Sequence, residues 1–493
     1  MNFLNGFSTL EFRKKGFAWD TLQLGSGTAL AQVVLILTMP ILSRIFPIDA
    51  FGVAALFSAI VLLISSVAGL RYDLAILLPI DDAEGYCALL LNLLLALMVG
   101  LIFGLLIFLL RHQLAAWLNA PHLAGYLWFS GPAIVIFGIV NGLNYWCTRM
   151  VRYALLASSK VLSNIITVAV QLLAGFFGMT SAGFLITGNV IGRIAENSFL
   201  FRCAWTGFPK AHFKGKKLFP LMFNVAQRYR KFPVYNTWAT LVNTASWMIP
   251  SFLLSFYFNT TVVGFYAAGD RVIRTPMNII GRSIAQVFFQ RGAAAFREGA
   301  LGQLFLDTIR LLVRIGLLPI LCLSILGKEI FSVFLGARWA EAGVYVQILA
   351  LWSFVWFLTS PTSTILSIVE KQEKSLIFNL VNFATRIISL IIGGMLKSPR
   401  LALVLFAITG LLTYGGLLLW ISQSAGVSWK RLMRSFKNRE FFFSTALALL
   451  LLALKFIMVV DWILVLSAIL VIACYYGYLL FRFKHLFHVT GSL

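Results

Sequence analysis

One apolar stretch carries charged and amide side chains at a spacing that could attract an anion. Residues 262–290 are apolar enough to span a bilayer, yet they include Asp270, Arg271, Arg274, Asn278, Arg282 and Gln286. From Arg271 onward these residues are three, four, four and four apart, which places them on one face of a helix. An arginine that faces lipid at the bilayer centre costs roughly 2.5–3.5 kcal/mol. The face is therefore expected to line a polar cavity.

Polar residues at helical spacing also occur in four other apolar stretches. They are Asn164, Thr167 and Gln171; Asn189, Arg193 and Glu196; Asn236, Thr240 and Asn243; and Asn379, Asn382, Arg386 and Ser389. One such stripe is typical of hydrogen bonding between neighbouring helices, whereas several together favour a water-filled centre. Ion pairs within a helix, Arg193 with Glu196 and Asp270 with Arg274, are the alternative to ligand binding for these four groups.

The elements that must position these residues are membrane helices. The 493 residues are 60% hydrophobic and 12% charged, and the mean hydropathy is +0.90. Apolar runs long enough to cross a bilayer recur along the whole chain. They predict an all-α polytopic membrane protein with about 14 spans: 22–45, 51–70, 86–110, 127–147, 155–177, 183–201, 234–256, 262–290, 304–326, 344–369, 376–395, 401–421, 441–459 and 462–481.

The excess of basic residues is interpreted as membrane topology. The chain has 40 Lys and Arg against 17 Asp and Glu, and the basic residues concentrate in alternate short loops, above all in residues 202–231 and 430–439. This bias predicts that both termini are cytoplasmic. It also explains the positive charge without nucleic-acid binding. We expect no nucleic-acid partner.

An internal repeat predicts two similar halves. Ser43, Phe46, Gly52 and Ala55 recur 212 residues later as Ser255, Phe258, Gly264 and Ala267. The same shift carries the third span onto the ninth. Parallel repeats of this kind build rocking transporters with the substrate site between the halves. The predicted parts are an N-terminal six-helix bundle (1–203), a basic cytoplasmic linker (204–233), a C-terminal six-helix bundle (234–425), and a basic loop with two appended helices (426–493).

Several classes of site are disfavoured by the sequence. The five cysteines lie in or beside apolar segments without CxxC spacing, which argues against a metal cage or a disulfide framework. There is no phosphate-binding lysine motif for ATP hydrolysis. The loops opposite the basic ones are too short to carry a catalytic domain. We therefore expect no enzymatic activity, no metal and no cofactor.

Several motifs resemble the polysaccharide transporter family of O-antigen and exopolysaccharide flippases. They are LSRIFPIDAFG at 42–52, LRYDLAILLP at 70–79, NYWCTR at 144–149, KFPVY at 231–235 and VGFYAAGDRV at 263–272. The family belongs to the superfamily that also holds multidrug and toxin extrusion transporters and lipid II flippases. The resemblance implies two six-helix bundles that form a V around a central cavity, and many relatives have 12 spans rather than 14.

The resemblance also implies a function. Such a protein would move a polyprenyl-pyrophosphate-linked oligosaccharide from the cytoplasmic to the periplasmic leaflet of the bacterial inner membrane by alternating access. Its partners would be that lipid-linked substrate, membrane lipid, and a polysaccharide polymerase and chain-length proteins. The alternatives are a cation-coupled multidrug or metabolite exporter of the same fold, which would favour acidic cavity residues, and a scaffold of a polysaccharide assembly complex.

The family assigns cavity arginines to the pyrophosphate, and the remaining polar positions are expected to serve the glycan or a coupling ion. The expected pyrophosphate ligands are Arg271, Arg274 and Arg282, followed by Arg193 and Arg386. The expected glycan contacts are Asn278, Gln286, Asn164, Gln171, Asn236, Asn243, Asn379 and Asn382. Coupling to a proton or sodium ion would use Asp270, Glu196 or Asp73.

Overall fold

The computed structural model describes residues 14–206, 218–437, 439–457 and 460–482, and its regular structure within these residues is entirely helical. The prediction of an all-α chain is confirmed. In chain order the α-helices are α1 (Lys14–Ile45), α2 (Ile48–Ser65), α3 (Tyr72–Ala75), α4 (Asp82–Trp117), α5 (Ala124–Leu127), α6 (Ser130–Arg149), α7 (Tyr153–Phe176), α8 (Ala182–Thr206), α9 (Leu218–Arg228), α10 (Thr237–Tyr257), α11 (Thr260–Arg297), α12 (Leu301–Leu335), α13 (Ala340–Thr362), α14 (Ile365–Ile368), α15 (Gln372–Met395), α16 (Pro399–Ser424), α17 (Trp429–Phe436), α18 (Arg439–Ile457) and α19 (Asp461–Arg482).

Every predicted span overlaps one of these helices, but the count of 14 membrane spans is not confirmed. Among the described residues, nine helices are long and apolar enough to cross a membrane, or ten if the bent pair Pro121–Leu127 and Ser130–Arg149 forms one span. The helices that fall short include α8 and α11. Both carry charged residues of the predicted site, and those charges lower their hydropathy. The protein is a multi-pass membrane protein.

The chain divides into two compact units. The first consists of Met1–Phe46 and Val53–Met248, and the second of Pro47–Gly52 and Ile249–Leu493. The first turn of α2 thus packs with the second unit. There the Thr260 hydroxyl donates a hydrogen bond to the Asp49 carboxylate.

The internal repeat is visible in the helix boundaries. α1 ends at Ile45 and α10 ends at Tyr257, while α2 begins at Ile48 and α11 begins at Thr260. Both pairs of boundaries are 212 residues apart, the shift found in the sequence. The repeat therefore describes helix ends as well as residue types.

In the first unit, Arg149 at the end of α6 fixes the loop before α4. One nitrogen of its guanidinium donates to the carbonyl oxygens of Ile76, at 3.0 Å, and Pro79, at 2.7 Å. A second nitrogen lies 2.8 Å from an Asp82 carboxylate oxygen. Only a planar guanidinium offers donors in this forked arrangement. The arginine of the NYWCTR motif therefore has a structural role.

In the second unit, α18 and α19 complete the hydrogen bonding of the irregular helix α12. Pro319 lies inside α12 and lacks an N–H group, so it cannot donate to the Ile315 carbonyl. The Tyr476 hydroxyl of α19 donates to that carbonyl at 2.6 Å. A buried polar group costs free energy in a bilayer unless it is satisfied within the protein. Tyr476 removes this cost.

A second irregularity of α12 is satisfied in the same way. Leu326 has non-helical backbone angles, φ −111° and ψ 16°. The carbonyl of Ile325 just before it accepts hydrogen bonds from Lys455 Nζ of α18 at 2.6 Å and from Gln347 Nε2 of α13 at 2.8 Å. Lys455 also pairs with Glu329 at 2.9 Å. The two appended helices are thus integral to the second unit and brace α12 at the carbonyls of Ile315 and Ile325.

Candidate functional site

The polar face of α11 changes in exposure along its length. Arg271, Arg274 and Asn278 are half-buried, whereas Arg282 and Gln286 are exposed. Pro276 lies inside the helix between Arg274 and Asn278, and a proline there removes one backbone hydrogen bond from the helix. The structure therefore keeps the predicted stripe on one helix, with its N-terminal half packed inside the second unit.

Arg274 and Asp270 form an ion pair one helical turn apart. Both side chains are mostly buried, so each removes the desolvation cost of the other's charge. Within the described residues, neither an ion pair nor a hydrogen bond is found for the side chains of Arg271 and Arg282. This is the arrangement that the alternative of an intrahelical pair predicted. Asp270 is thus paired with Arg274 and not with Arg271, which is a half-buried cation.

Arg386 on α15 is enclosed by aromatic side chains of the same unit. Its guanidinium lies 5.7 Å from the centre of the Trp352 ring and 5.6 Å from that of Phe406. It donates a hydrogen bond to the Tyr414 hydroxyl at 3.3 Å. With 2% of its surface exposed, Arg386 is held by cation–π contacts and this hydroxyl. Arg386 thus lies beneath the protein surface.

Arg386 is nevertheless part of the same charge cluster as the α11 face. It lies within electrostatic range of Asp270 and Arg274, and Tyr266, one turn before Asp270, interacts with all three charges. Asn382, one turn before Arg386, interacts with the Tyr414 hydroxyl. Two arginines thus surround one carboxylate. This cluster, formed by Tyr266, Asp270, Arg274, Arg386 and Tyr414, carries net positive charge and has Arg271 beside it.

The two tyrosines of the cluster were missed in the sequence. Tyr266 could have been found from its spacing, since it lies four residues before Asp270 and so on the same helix face. Tyr414 could not have been found in this way, because its proximity to Arg386 depends on how α15 packs on α16. Gly410 of α16 lets the Trp352 ring of α13 pack closely beside this site, because a Cβ there would overlap that ring.

In the first unit, the predicted site residues contact helix backbones or each other. Arg193 pairs with Glu196 at 2.6 Å and lies 5.1 Å from the centre of the Phe137 ring. Asn164 donates to the Ala31 carbonyl at 2.6 Å, and Gln171 donates to the Leu185 carbonyl at 3.0 Å. The two amides thus link neighbouring helices.

The other predicted polar residues are scattered. Asn236 ends a π-helical turn, Phe232–Asn236, so its spacing to Asn243 is not that of a regular α-helix. Asn243 and Asn379 are exposed, and Asn382 is buried. The structure therefore brings Asn382 to the charge cluster and leaves Asn243 and Asn379 at the surface of their helices.

Asp73 lies on the short helix α3, in the connection between α2 and α4. Its carboxylate is buried and pairs with Arg71 at 3.1 Å. Burial raises the pKa of Asp73 above its ordinary value, and the nearby Arg71 charge opposes this shift. Leu70 and Arg71 both have positive φ, 46° and 62°. The αL backbone there reverses the chain and brings the two charges together.

Comparisons with known proteins identify the fold. A sequence profile described as a polysaccharide biosynthesis protein matches residues 41–344. The structure is similar to that of the lipid II flippase MurJ in an inward closed conformation, with a TM-score of 0.60 and 14% identity, covering 96% of this chain and 99% of that chain. No curated protein sequence matches the chain significantly.

Two further structures of the same superfamily are similar. One is an inward-facing multidrug resistance MATE family transporter of the MOP superfamily, with a TM-score of 0.56 and 14% identity over 85% of this chain and 96% of that chain. The other is a MOP superfamily transporter from Pyrococcus furiosus, described as having a binding pocket of reverse polarity, with a TM-score of 0.53, 14% identity and the same coverage. At this identity the likeness shows the fold alone. The predicted transporter fold is thereby confirmed.

Proposed function

Since the chain belongs to the polysaccharide biosynthesis protein family and has the fold of MOP-superfamily transporters, we propose that it is a flippase for polyprenyl-pyrophosphate-linked oligosaccharide. It moves this lipid from the cytoplasmic to the periplasmic leaflet of the bacterial inner membrane by alternating access, and both of its termini are cytoplasmic. The product is a lipid-linked repeat unit, which a polysaccharide polymerase, regulated by chain-length proteins, would consume.

The observation that carries this proposal is the state of Arg271. It is a half-buried arginine on α11, a helix that we place in the membrane, and no ion pair or hydrogen bond of its side chain is found within the described residues. An arginine at membrane depth is rare and is usually paired or exposed to a water-filled path. The neighbouring pair of Asp270 and Arg274 neutralises itself. Arg271 therefore offers its donors to an anionic ligand.

The chemistry of the ligand follows from the guanidinium group. Arginine binds phosphate oxygens through two parallel hydrogen bonds, and the pyrophosphate headgroup presents several such oxygens. Arg282 and Gln286, which are exposed on the same face, would extend the contact along the substrate, and Asn278 would bind sugar hydroxyls. Arg193 and Arg386, whose guanidinium groups are engaged by Glu196 and by Tyr414, would act by holding the helices that carry the site.

The membrane potential favours this direction of transport. Moving one negative charge outward across a potential that is negative inside is downhill by roughly 2.3 kcal/mol per 100 mV. ATP is then not required. A coupled ion would bind at Asp270, Glu196 or Asp73, and the raised pKa of Asp73 supports a proton at this position.

The direct test is translocation in proteoliposomes. A fluorescent polyprenyl-pyrophosphate glycan is incorporated, and its loss from one leaflet is followed with a membrane-impermeant quencher. Arg271→Ala should lower the rate about 10-fold or more, because a hydrogen bond to a charged group contributes about 1.5–3 kcal/mol. Arg271→Lys keeps the charge but loses the fork, so it should give an intermediate rate.

A matched control removes a positive charge elsewhere in the same unit. Arg310→Ala breaks a partly exposed ion pair with Asp307 on α12, at 2.8 Å, and it should leave the rate unchanged. Equal rates for Arg271→Ala and the unmodified protein would contradict the assignment of Arg271. Transport of a cationic drug without transport of the glycan would favour the exporter of the same fold.

A further inference from the structure

A short helix with basic residues in it or just after it follows α8 in the first half of the chain and α16 in the second. α9 begins at Leu218 after α8, and α17 begins at Trp429 after α16. These starts are 211 residues apart, nearly the shift of the internal repeat. The two helices are therefore repeat-related, although their sequences share no obvious motif.

The inner side of α9 is anchored in the first unit. Val225 is buried in a cluster with Cys147, Cys203 and Leu200. The Tyr72 hydroxyl donates to the Ala226 carbonyl at 2.9 Å, and Arg228 pairs with Glu84 at 3.0 Å. The helix is thus fixed in orientation, and its other side is presented outward.

The outward side of α9 combines exposed aromatic rings with basic residues. Phe219 and Phe223, one turn apart, are 79% and 63% exposed. Arg230 and Lys231, just after the helix, are also exposed. The sequence of residues 202–231 contains eight Lys and Arg and no Asp or Glu. Two exposed phenylalanines on a fixed helix indicate a surface that is covered in the membrane.

α17 repeats this arrangement in the second unit. Leu432 and Ser435 are buried, and the helix is capped by the Ser428 side chain. On the outward side Trp429 is 53% exposed, and it is followed by the exposed basic residues Lys430, Arg431 and Arg434. Again an aromatic ring adjoins several cations.

We propose that α9 and α17 are interfacial helices that bind the headgroups of anionic phospholipids. The aromatic rings enter the boundary between headgroups and acyl chains, while the lysines and arginines neutralise lipid phosphates. Charge complementarity favours an anionic lipid surface over a protein surface, since the exposed cations are not accompanied by acidic residues on either helix.

The test measures the depth of spin labels in the full-length protein. Labels are attached at Phe219→Cys, Phe223→Cys or Trp429→Cys in a Cys474→Ser background, because Cys474 is the cysteine that is exposed. The protein is placed in nanodiscs of phosphatidylcholine alone or with phosphatidylglycerol. Collision with oxygen should increase, and collision with a water-soluble nickel chelate decrease, when phosphatidylglycerol is present. A label at Asn224→Cys, an exposed position turned away from the two rings, should remain in water.

Charge reversal separates lipid binding from simple hydrophobic anchoring. Arg230→Glu with Lys231→Glu, and Lys430→Glu with Arg434→Glu, should abolish the effect of phosphatidylglycerol on the labels of α9 and α17. Labels that stay in water in both lipids would overturn the proposal and leave these faces to a protein partner. Equal burial in both lipids would also overturn it, because the headgroup charge would then have no role. None of these outcomes depends on what the protein transports.

Discussion

Gly52 and Gly264, which are related by the internal repeat, lie against each other. A Cβ on Gly52 would lie 3.1 Å from the backbone nitrogen of Gly264, and a Cβ on Gly264 would lie 3.2 Å from that of Gly52. The Cβ on Gly52 would also overlap the carbonyl oxygen of Thr260, and the Cβ on Gly264 would overlap that of Ile48. The first turns of α2 and α11 therefore touch through their backbones.

Gly264→Ala and Gly52→Ala should each destabilise the protein. The added methyl group meets backbone atoms rather than a flexible side chain, and such overpacking typically costs about 1–3 kcal/mol. The measurement is the melting temperature of the purified protein in detergent. Gly415→Ala is the matched control, since a Cβ at this position meets no atom within 4 Å. A melting temperature that falls equally in all three variants would contradict the contact.

The Asp270–Arg274 pair should show coupling in a double-mutant cycle. Asp270→Ala or Arg274→Ala alone leaves a mostly buried charge without its partner, whereas the double variant removes both charges. The coupling free energy should be about 0.5–3 kcal/mol, the range for residues in contact. It is measured from the unfolding free energies of the three variants and the unmodified protein. Strictly additive losses would show that the two groups are solvated separately.

Tyr476→Phe should lower stability by about 1–3 kcal/mol, because the Ile315 carbonyl would lose its donor from α19. Lys455→Met should have a smaller effect on the Ile325 carbonyl, since Gln347 still donates to it. The same variant also removes the ion pair with Glu329, whose buried carboxylate would then lack a compensating charge. Tyr235→Phe serves as the control for the hydroxyl change, because Tyr235 is largely exposed. Thermal unfolding in nanodiscs distinguishes the three.

Asp73 should make stability depend on pH. Because burial raises the pKa of Asp73, the folded protein holds this proton more tightly than the unfolded chain does. The stabilisation is complete below the ordinary aspartate pKa of about 3.9 and is lost as the pH rises through the raised pKa. Asp73→Asn should remove this part of the pH dependence. Melting temperatures of both proteins across this range test the prediction, and identical curves would argue against it.

Much of the fold could be predicted because hydropathy and repeats are local properties of the sequence. All 14 predicted spans fall on helices, and the repeat of Ser43, Phe46 and Gly52 gave the helix boundaries that the structure shows. The count of 14 spans stays unconfirmed, because charges such as Arg193 and Glu196 lower the hydropathy of helices such as α8, which is not among the nine apolar spans of the described residues.

The candidate site was predictable in part, because residue spacing along one helix is also a local property of the sequence. The spacing of Asp270 and Arg274 on one helix predicted their pair. The burial of Arg386 was not predictable, since its aromatic enclosure comes from Trp352 on α13 and Phe406 on α16. The use of Asn164 and Gln171 between helices likewise depends on partners far away in the sequence.

The brace on α12 has a consequence for biosynthesis. Pro319 leaves the Ile315 carbonyl without a donor from its own helix, and the donor, Tyr476, follows 161 residues later. At a translation rate of about 5–20 residues per second, the ribosome needs roughly 8–30 s to reach it. During that interval α12 has already been synthesised with an exposed acceptor, so the second unit is expected to mature only after the final hairpin has been inserted.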